Sequence, residues 1–243
     1  MYGGFAKMYD GLMTDAPYEL WAAYIDGLLS EWFKNSSPLV LDLACGTGNI
    51  TLRLAEKGYD LIGVDSSEDM LAEAQRKAYE EGHKILFLAQ DMRELDLYGT
   101  IDAAVCVCDG MNYILKTADL LEVFRRVRLF LNPGGVFIFD MNTEYKFNEV
   151  LKNSTFEDKS ADGSYVWQNN YNPETKINEY HMFFYSPDED EPFTELHKQR
   201  AYPPADIINL LMEAGFSAVS TRNSYSADPI QADSTRIVFI AAV

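Results

Sequence analysis

Three aspartates and two glycines carry the chemistry most legible in this sequence. Asp42, Asp65 and Asp91 each stand in or just beyond a short apolar run, in Val40-Leu41-Asp42-Leu43, Ile62-Gly63-Val64-Asp65 and Leu88-Ala89-Gln90-Asp91. Between the first two lies Ala44-Cys45-Gly46-Thr47-Gly48, a turn whose glycines let the backbone approach a bound molecule closely. Open α/β sheets bind ligands at the carboxyl ends of their strands, where an acidic side chain can accept hydrogen bonds from ribose hydroxyls. One such aspartate is an ordinary helix cap or turn former; three in register beside a glycine turn describe a nucleoside site. A dinucleotide turn of the G-x-G-x-x-G type would need a third glycine where Thr51 stands, so that alternative is weaker. Asp42, inside the first run, can either orient the turn or reach a cationic ligand.

The surrounding elements must present these residues at one edge. Tyr18 to Lys34 places Trp21, Tyr24, Ile25, Leu28, Leu29, Trp32 and Phe33 at three- and four-residue spacings, which predicts an amphipathic helix with Asp15 as a nearby cap. Apolar runs at Leu39 to Leu43, Asp60 to Val64, Ile85 to Ala89, Ile101 to Val107 and Val136 to Met141 are too short for helices. Helical patterns separate them: Asn49 to Lys57, a second opened by Ser66 or Ser67 and closed by Gly82, and Thr117 to Leu131. Asn132-Pro133-Gly134-Gly135 reads as a turn. Near-continuous apolar strands alternating with helices predict an α/β fold with a mostly parallel sheet covered by helices on both faces.

At Thr143 the pattern changes. Stretches such as Tyr165-Val166-Trp167-Gln168 alternate with a period of two, as antiparallel strands with one wet face do, and turn signals sit at Asn172-Pro173 and Ser186-Pro187. A helix from Pro204 to Ala214 and strands at Ala218 to Arg222 and Arg236 to Ala241 then resume the earlier pattern. Residues 143–199 therefore read as an antiparallel β lid inserted into a main domain of residues 1–142 and 200–243.

With these pieces in hand, the sequence resembles the class I S-adenosylmethionine-dependent methyltransferases, in particular small bacterial members with an inserted sheet. Asp42 to Gly48 is similar to their D/E-x-x-x-G-x-G cofactor loop, which brings in Ala44 as well as Gly46 and Gly48. The resemblance implies a Rossmann-like seven-stranded sheet of order 3-2-1-4-5-7-6 with strand seven antiparallel, and S-adenosyl-L-methionine as cofactor. It assigns Asp65, with Ser66 beside it, to the ribose, Met70 to the neighbourhood of the adenine, and Asp91 with Met92 to the adenine amino group. Cys108-Asp109-Gly110-Met111-Asn112 stands at the fourth motif, so Cys108 and Asp109 are expected to face the methyl donor. The match covers nearly all of the chain outside the insert.

The acceptor is less legible. Base-amine methyltransferases of nucleic acids carry Asn/Asp-Pro-Pro-aromatic at the fourth motif, and this chain has Asp109-Gly110-Met111-Asn112-Tyr113. The chain holds 38 acidic and 20 basic residues, a formal charge of −18, and residues 143–200 hold 12 acids against 6 bases, a poor surface for phosphates. A small-molecule acceptor is expected, without nucleic-acid or membrane partners; the alternatives are an RNA or protein methyltransferase, or a non-catalytic cofactor-binding protein. His197 is the best candidate base by residue type. Tyr9 is a candidate to close over the reactants. Cys45, Cys106 and Cys108 suit neither a disulfide framework nor a four-ligand zinc site, and Cys106 and Cys108 read as core thiols rather than a covalent nucleophile. No metal is expected. No apolar run approaches the roughly 18 residues of a membrane span, and the first ten residues lack a secretory pattern, which predicts a cytoplasmic protein.

Overall fold

The computed structural model describes residues 9–11, 13, 16–34, 37–160, 163–185 and 192–243. Its main sheet has seven strands: β1 (Leu39–Leu43), β2 (Asp60–Asp65), β3 (Leu86–Ala89), β4 (Ile101–Cys106), β5 (Leu131–Asn142), β10 (Ala218–Asn223) and β11 (Arg236–Ala242). Their order is β3-β2-β1-β4-β5-β11-β10, parallel except for β11, which runs antiparallel to β5 and β10. This is the order that the resemblance implied.

Strand alternation divides the core into two layers. Leu41, Ala104, Phe137 and Phe239 point to one face, where α4 (Thr117–Phe130) and α5 (Pro204–Glu213) cover them with Leu120, Phe124, Ile207 and Leu211. Val40, Val105, Ile138 and Val238 point to the other, beneath α1 (Tyr18–Trp32) and α2 (Asn49–Glu56). Side chains buried on both faces leave no wet side, so these strands read as continuous apolar runs. Helix α3 (Glu68–Glu80) is capped by Ser67, whose hydroxyl accepts from the Met70 N–H at 3.3 Å. Pro17 caps α1 without a side-chain bond, and Asp15 lies outside the described residues.

The expected turn at Asn132 to Gly135 is instead part of β5. Leu131 pairs with Ile101, and then the register jumps so that Val136 faces Ala103. The turn residues form an irregularity in the ladder, with Gly134 left-handed at φ 79°.

After β5 comes a short helical turn, Lys146–Leu151, and then a separate antiparallel sheet of order β6-β7-β8-β9. Its strands are β6 (Thr155–Ser160), β7 (Gly163–Asn172), β8 (Ile177–Tyr185) and β9 (Phe193–Arg200). The Ser186-Pro187 turn signal lies outside the described residues. On β9 the alternation turns the polar side inward: Gln199 is buried, whereas Leu196 is 51% exposed. The register sets Met182 opposite Glu195 and Tyr180 opposite His197.

Candidate active site

The turn after β1 is built from left-handed residues, Ala44 at φ 59°, Gly46 at 55° and Gly48 at 78°. Only glycine adopts this region freely, so the two glycines let the chain fold back without strain, while Ala44 is held there by its neighbours. A Cβ added at Gly46 would meet nothing within 4 Å, so the space above the turn is open. Beneath it, Asp42 is buried, and its carboxylate accepts from the Thr51 hydroxyl at 2.6 Å. Thr51, the residue that spoils the dinucleotide fingerprint, is therefore the partner that Asp42 needs. Of the two roles open to Asp42, the geometry fits orienting the turn.

Burial pushes the Asp42 carboxyl up to about 7, against an ordinary value of 3.8. The folded state then holds a proton that the unfolded chain releases, so this group's contribution to stability falls as pH rises from about 4 to about 7. At 1.36 kcal/mol per pH unit the full loss is on the order of 4 kcal/mol. Asp42→Asn is expected to flatten this slope in denaturant titrations across that range. An unchanged slope would assign the titration to other carboxyls.

Asp65, at the end of β2, accepts from the Gly46 N–H at 2.8 Å and the Ser67 N–H at 2.9 Å. It thus locks the glycine turn to the start of α3, and each oxygen keeps a lone pair for a ligand hydroxyl. Burial raises its carboxyl above the ordinary range. Asp91, after β3, is gripped by the Arg93 guanidinium, whose Nε lies 2.9 Å away, and this contact holds its carboxyl low. A cavity of about 350 Å³ opens between these strand ends, lined by Ala44, Asp65, Ser66, Asp91 and Met92, with Tyr113 and Lys116 across from them. Five expected cofactor residues are therefore on one wall. Asp42, Gly46 and Gly48 support that wall from behind or beside it. Met70 turns instead toward a cluster with Tyr9, Phe184 and Phe193.

The N-terminal turn at residues 9–11 is docked on the glycine turn by Asp10, a residue to which the sequence pattern assigns no role. Asp10 accepts from Thr47 Oγ1 at 2.7 Å and Asn49 Nδ2 at 2.8 Å, and pairs with Lys77 at 2.6 Å. Tyr9 is thereby set near Cys108, Tyr18 and Tyr113. Burial holds its phenol well above 10.0, so Tyr9 is a hydrogen-bond donor at neutral pH and not a base. Burial likewise pushes the Cys108 thiol up to about 12, as suits a packed thiol rather than a nucleophile.

Cys108 and Asp109 are both left-handed, at φ 66° and 54°, an uncommon pair for residues with side chains. What holds them is a buried ionic network. Arg236, first residue of β11, pairs through one amino group with Asp140 and through the other with Asp109 at 2.7 Å. The Asp109 N–H donates to Asp140 at 3.1 Å, Tyr225 donates to Asp140 at 2.8 Å, and Gln199 of β9 donates to Asp109 at 2.5 Å. Burial would raise the Asp109 carboxyl, but Arg236, Lys146 and Gln199 hold it below its ordinary range. With both oxygens engaged by protein partners, Asp109 ties the fourth motif to β5, β11 and the inserted sheet.

Asn112, fully buried, donates to the carbonyls of Asn142 at 3.1 Å and Arg200 at 2.8 Å and accepts from the Asn142 N–H at 2.8 Å. One amide thus clasps both stems of the insert. Arg236 and Asp140 were detectable in the sequence as single charges within the apolar strands Arg236-Ile237-Val238-Phe239 and Phe137-Ile138-Phe139-Asp140.

His197 lies on the inner face of β9, its ring edge-on to Tyr113 at 5.8 Å. Burial lowers its imidazole below 6.5, so it is neutral at pH 7 and able to accept a proton.

A family model described as a methyltransferase domain matches residues 40–135. The YqeM protein of Bacillus subtilis (strain 168) is 38% identical over 99% of this chain and 96% of its own length. A crystal structure of an S-adenosylmethionine-dependent methyltransferase from Clostridium acetobutylicum ATCC 824 superposes with a TM-score of 0.89 at 32% identity, covering 100% of this chain and 98% of that one. A glycine/sarcosine N-methyltransferase of Halorhodospira halochloris is 32% identical over 47% of this chain and 44% of its own length. The chain belongs to the class I S-adenosylmethionine-dependent methyltransferases. Its cofactor is S-adenosylmethionine, and its nearest established class of activity is EC 2.1.1.-.

Proposed function

We propose that the acceptor is a small molecule held between the glycine-turn edge of the main sheet and the inner face of residues 143–199, acting as a lid on the domain formed by 1–142 and 200–243. The observation that carries this reading is the contact between the two: Met182, Phe184 and Phe193 of the inserted sheet pack with Tyr9 and Met70 beside the cofactor cavity. The likeness to a glycine/sarcosine N-methyltransferase points the same way. The acidic balance of the insert weighs against RNA, and the intact glycine turn weighs against a protein that has lost the cofactor.

The cofactor supplies an activated methyl group, so the protein's part is positioning and exclusion of water. Asp65 takes the ribose hydroxyls while locking the turn. Asp91 and the Met92 backbone take the adenine, which requires Asp91 to share its grip on Arg93. Tyr9 and Cys108 pack over the reacting end, and Asp109 positions the fourth motif.

Two measurements test the cofactor site. At 100 times its dissociation constant, S-adenosylmethionine is expected to raise the melting temperature by about 5–11 °C, and NAD to leave it unchanged. Asp65→Ala is expected to weaken cofactor binding about 10- to 150-fold by calorimetry. Because Asp65 also holds Gly46 and Ser67, the same substitution should lower the melting temperature without ligand, an effect that a purely ribose-binding residue would not have. Unchanged affinity in Asp65→Ala would leave it only the lock between the glycine turn and the start of α3.

A further inference from the structure

Resting on the small-molecule reading, we propose that the acceptor is an amine, bound as its ammonium cation by the Glu195 carboxylate, with His197 accepting the proton that must leave before nitrogen attacks. Glu195 and His197 are two residues apart on β9 and share its inward face. Glu195 Oε2 and His197 Nε2 lie 4.0 Å apart, and each side chain is 13% exposed. Among the described residues no lysine or arginine is within ion-pair distance of Glu195, although the half-buried Glu179 on the neighbouring strand pairs with Lys198.

Its surroundings are aromatic and apolar instead. Met182 stands opposite Glu195 across the ladder, Phe193 precedes it on the same face, and both join the cluster that holds Tyr9 and Met70. A carboxylate withdrawn from water into such a wall is costly unless a cation meets it. Ammonium groups are also drawn to aromatic faces. Burial raises the Glu195 carboxyl, opposed by the charge of the chain's N-terminal amino group, and burial lowers the His197 imidazole, so withdrawal from water favours the neutral form of each. Tyr113 links the pair to the cofactor: its ring meets His197 on one side and lines the cavity of Asp65 and Asp91 on the other.

The step balances without further reagents. The ammonium gives one proton to the neutral imidazole. The freed nitrogen lone pair then forms the N–C bond to the methyl carbon as the C–S bond breaks, its electron pair returning to sulfur. The products are an N-methylated ammonium, a neutral thioether and an imidazolium that releases its proton to solvent. An ammonium beside a sulfonium sets two like charges together, and the Glu195 carboxylate offsets that repulsion. Among the groups facing His197 are Glu195 on its own strand, Tyr180 on β8 and Tyr113 from the fourth-motif turn.

The test incubates the full chain with S-adenosylmethionine deuterated on its methyl group and a whole aqueous extract of bacterial cells, containing small molecules, RNA and protein, and locates the label by mass spectrometry. The expected product is labelled on nitrogen. With that amine in hand, Glu195→Gln should raise KM about 10- to 150-fold with little change in kcat, the loss of one charge-assisted contact. Glu195→Asp should recover part of this. His197→Asn should lower kcat and remove the acid limb of the pH–rate profile. Cofactor binding by all three variants, measured by calorimetry, should match wild type and certify their folding. Label on oxygen, sulfur or carbon overturns the amine assignment and leaves the small-molecule reading standing; an N-labelled product indifferent to Glu195→Gln overturns the binding role of Glu195 and leaves the small-molecule reading standing. Label confined to RNA or protein, or none at all while the cofactor binds, overturns both.

Discussion

Arg236→Met is expected to destabilise the protein by about 3–5 kcal/mol and to lower its melting temperature by roughly 6–20 °C. The arginine is the bridge between the buried Asp140 and the largely buried Asp109, and its guanidinium also lies over the Trp21 ring at 5.3 Å. Removing it leaves both carboxylates in a site that water reaches poorly, and the loss is mostly the cost of stranding them. Two comparisons isolate that cause. Arg236→Lys should recover little, since an ammonium cannot span both carboxylates as the planar fork does. Combining Arg236→Met with Asp109→Asn and Asp140→Asn should recover a large part, because the stranded charges are gone. A melting temperature for Arg236→Met within about 2 °C of wild type would mean that water or a side-chain shift satisfies the aspartates.

Replacing residues 147–198 by a short Gly/Ser linker is expected to abolish methyl transfer, by on the order of 100-fold or more, while cofactor affinity changes only a few-fold. The cut spares Asn142, Lys146, Gln199 and Arg200, so the Asn112 clasp and the Gln199 contact to Asp109 both survive. It removes Phe147, Leu151, Tyr171 and Tyr180 together, the small core that the insert keeps largely to itself. The readouts are a calorimetric titration with S-adenosylmethionine and transfer to whichever acceptor the deuterium-labelling experiment identifies. If the shortened protein folds but no longer binds the cofactor, the inserted sheet belongs to the cofactor site and is no lid.

Periodicity carried the fold because both faces of the main sheet are dry. Strands such as Val136 to Met141 cannot alternate, and their apolar runs mark them plainly. Turn chemistry misled at Asn132 to Gly135, where a left-handed glycine bends a strand that continues on either side. The strand-end aspartates were legible as a set, and Asp65, Asp91, Ala44, Ser66 and Met92 do line one cavity. What the pattern does not encode is the direction in which a side chain spends its hydrogen bonds. Asp109 sits where the family motif faces the methyl donor, yet its oxygens are taken by Arg236 and Gln199, residues 127 and 90 positions away. Asp10 and Asn112 escaped for the same reason, since each acts on partners distant in sequence. Arg236 and Asp140 did leave a signal, a lone charge in each of two apolar strands, readable as a pair only once β5 and β11 are known to be neighbours.

The Asn112 clasp also bears on how this architecture can vary. The chain leaves the main sheet at Asn142 and returns at Arg200, and one buried side chain bonds to the backbone of both. Everything between is a closed excursion whose ends are pinned at a fixed separation. The entropy of closing such a loop grows only with the logarithm of its length, about 0.6 kcal/mol for each doubling. Lengthening, shortening or exchanging the excursion therefore perturbs the parent sheet little, provided that the pinned ends remain. A single amide makes the junction a port: different inserted sheets can be fitted to the same cofactor-binding body, so that, if the insert is the acceptor lid proposed above, new acceptors can be acquired without rebuilding the machinery that holds the methyl donor.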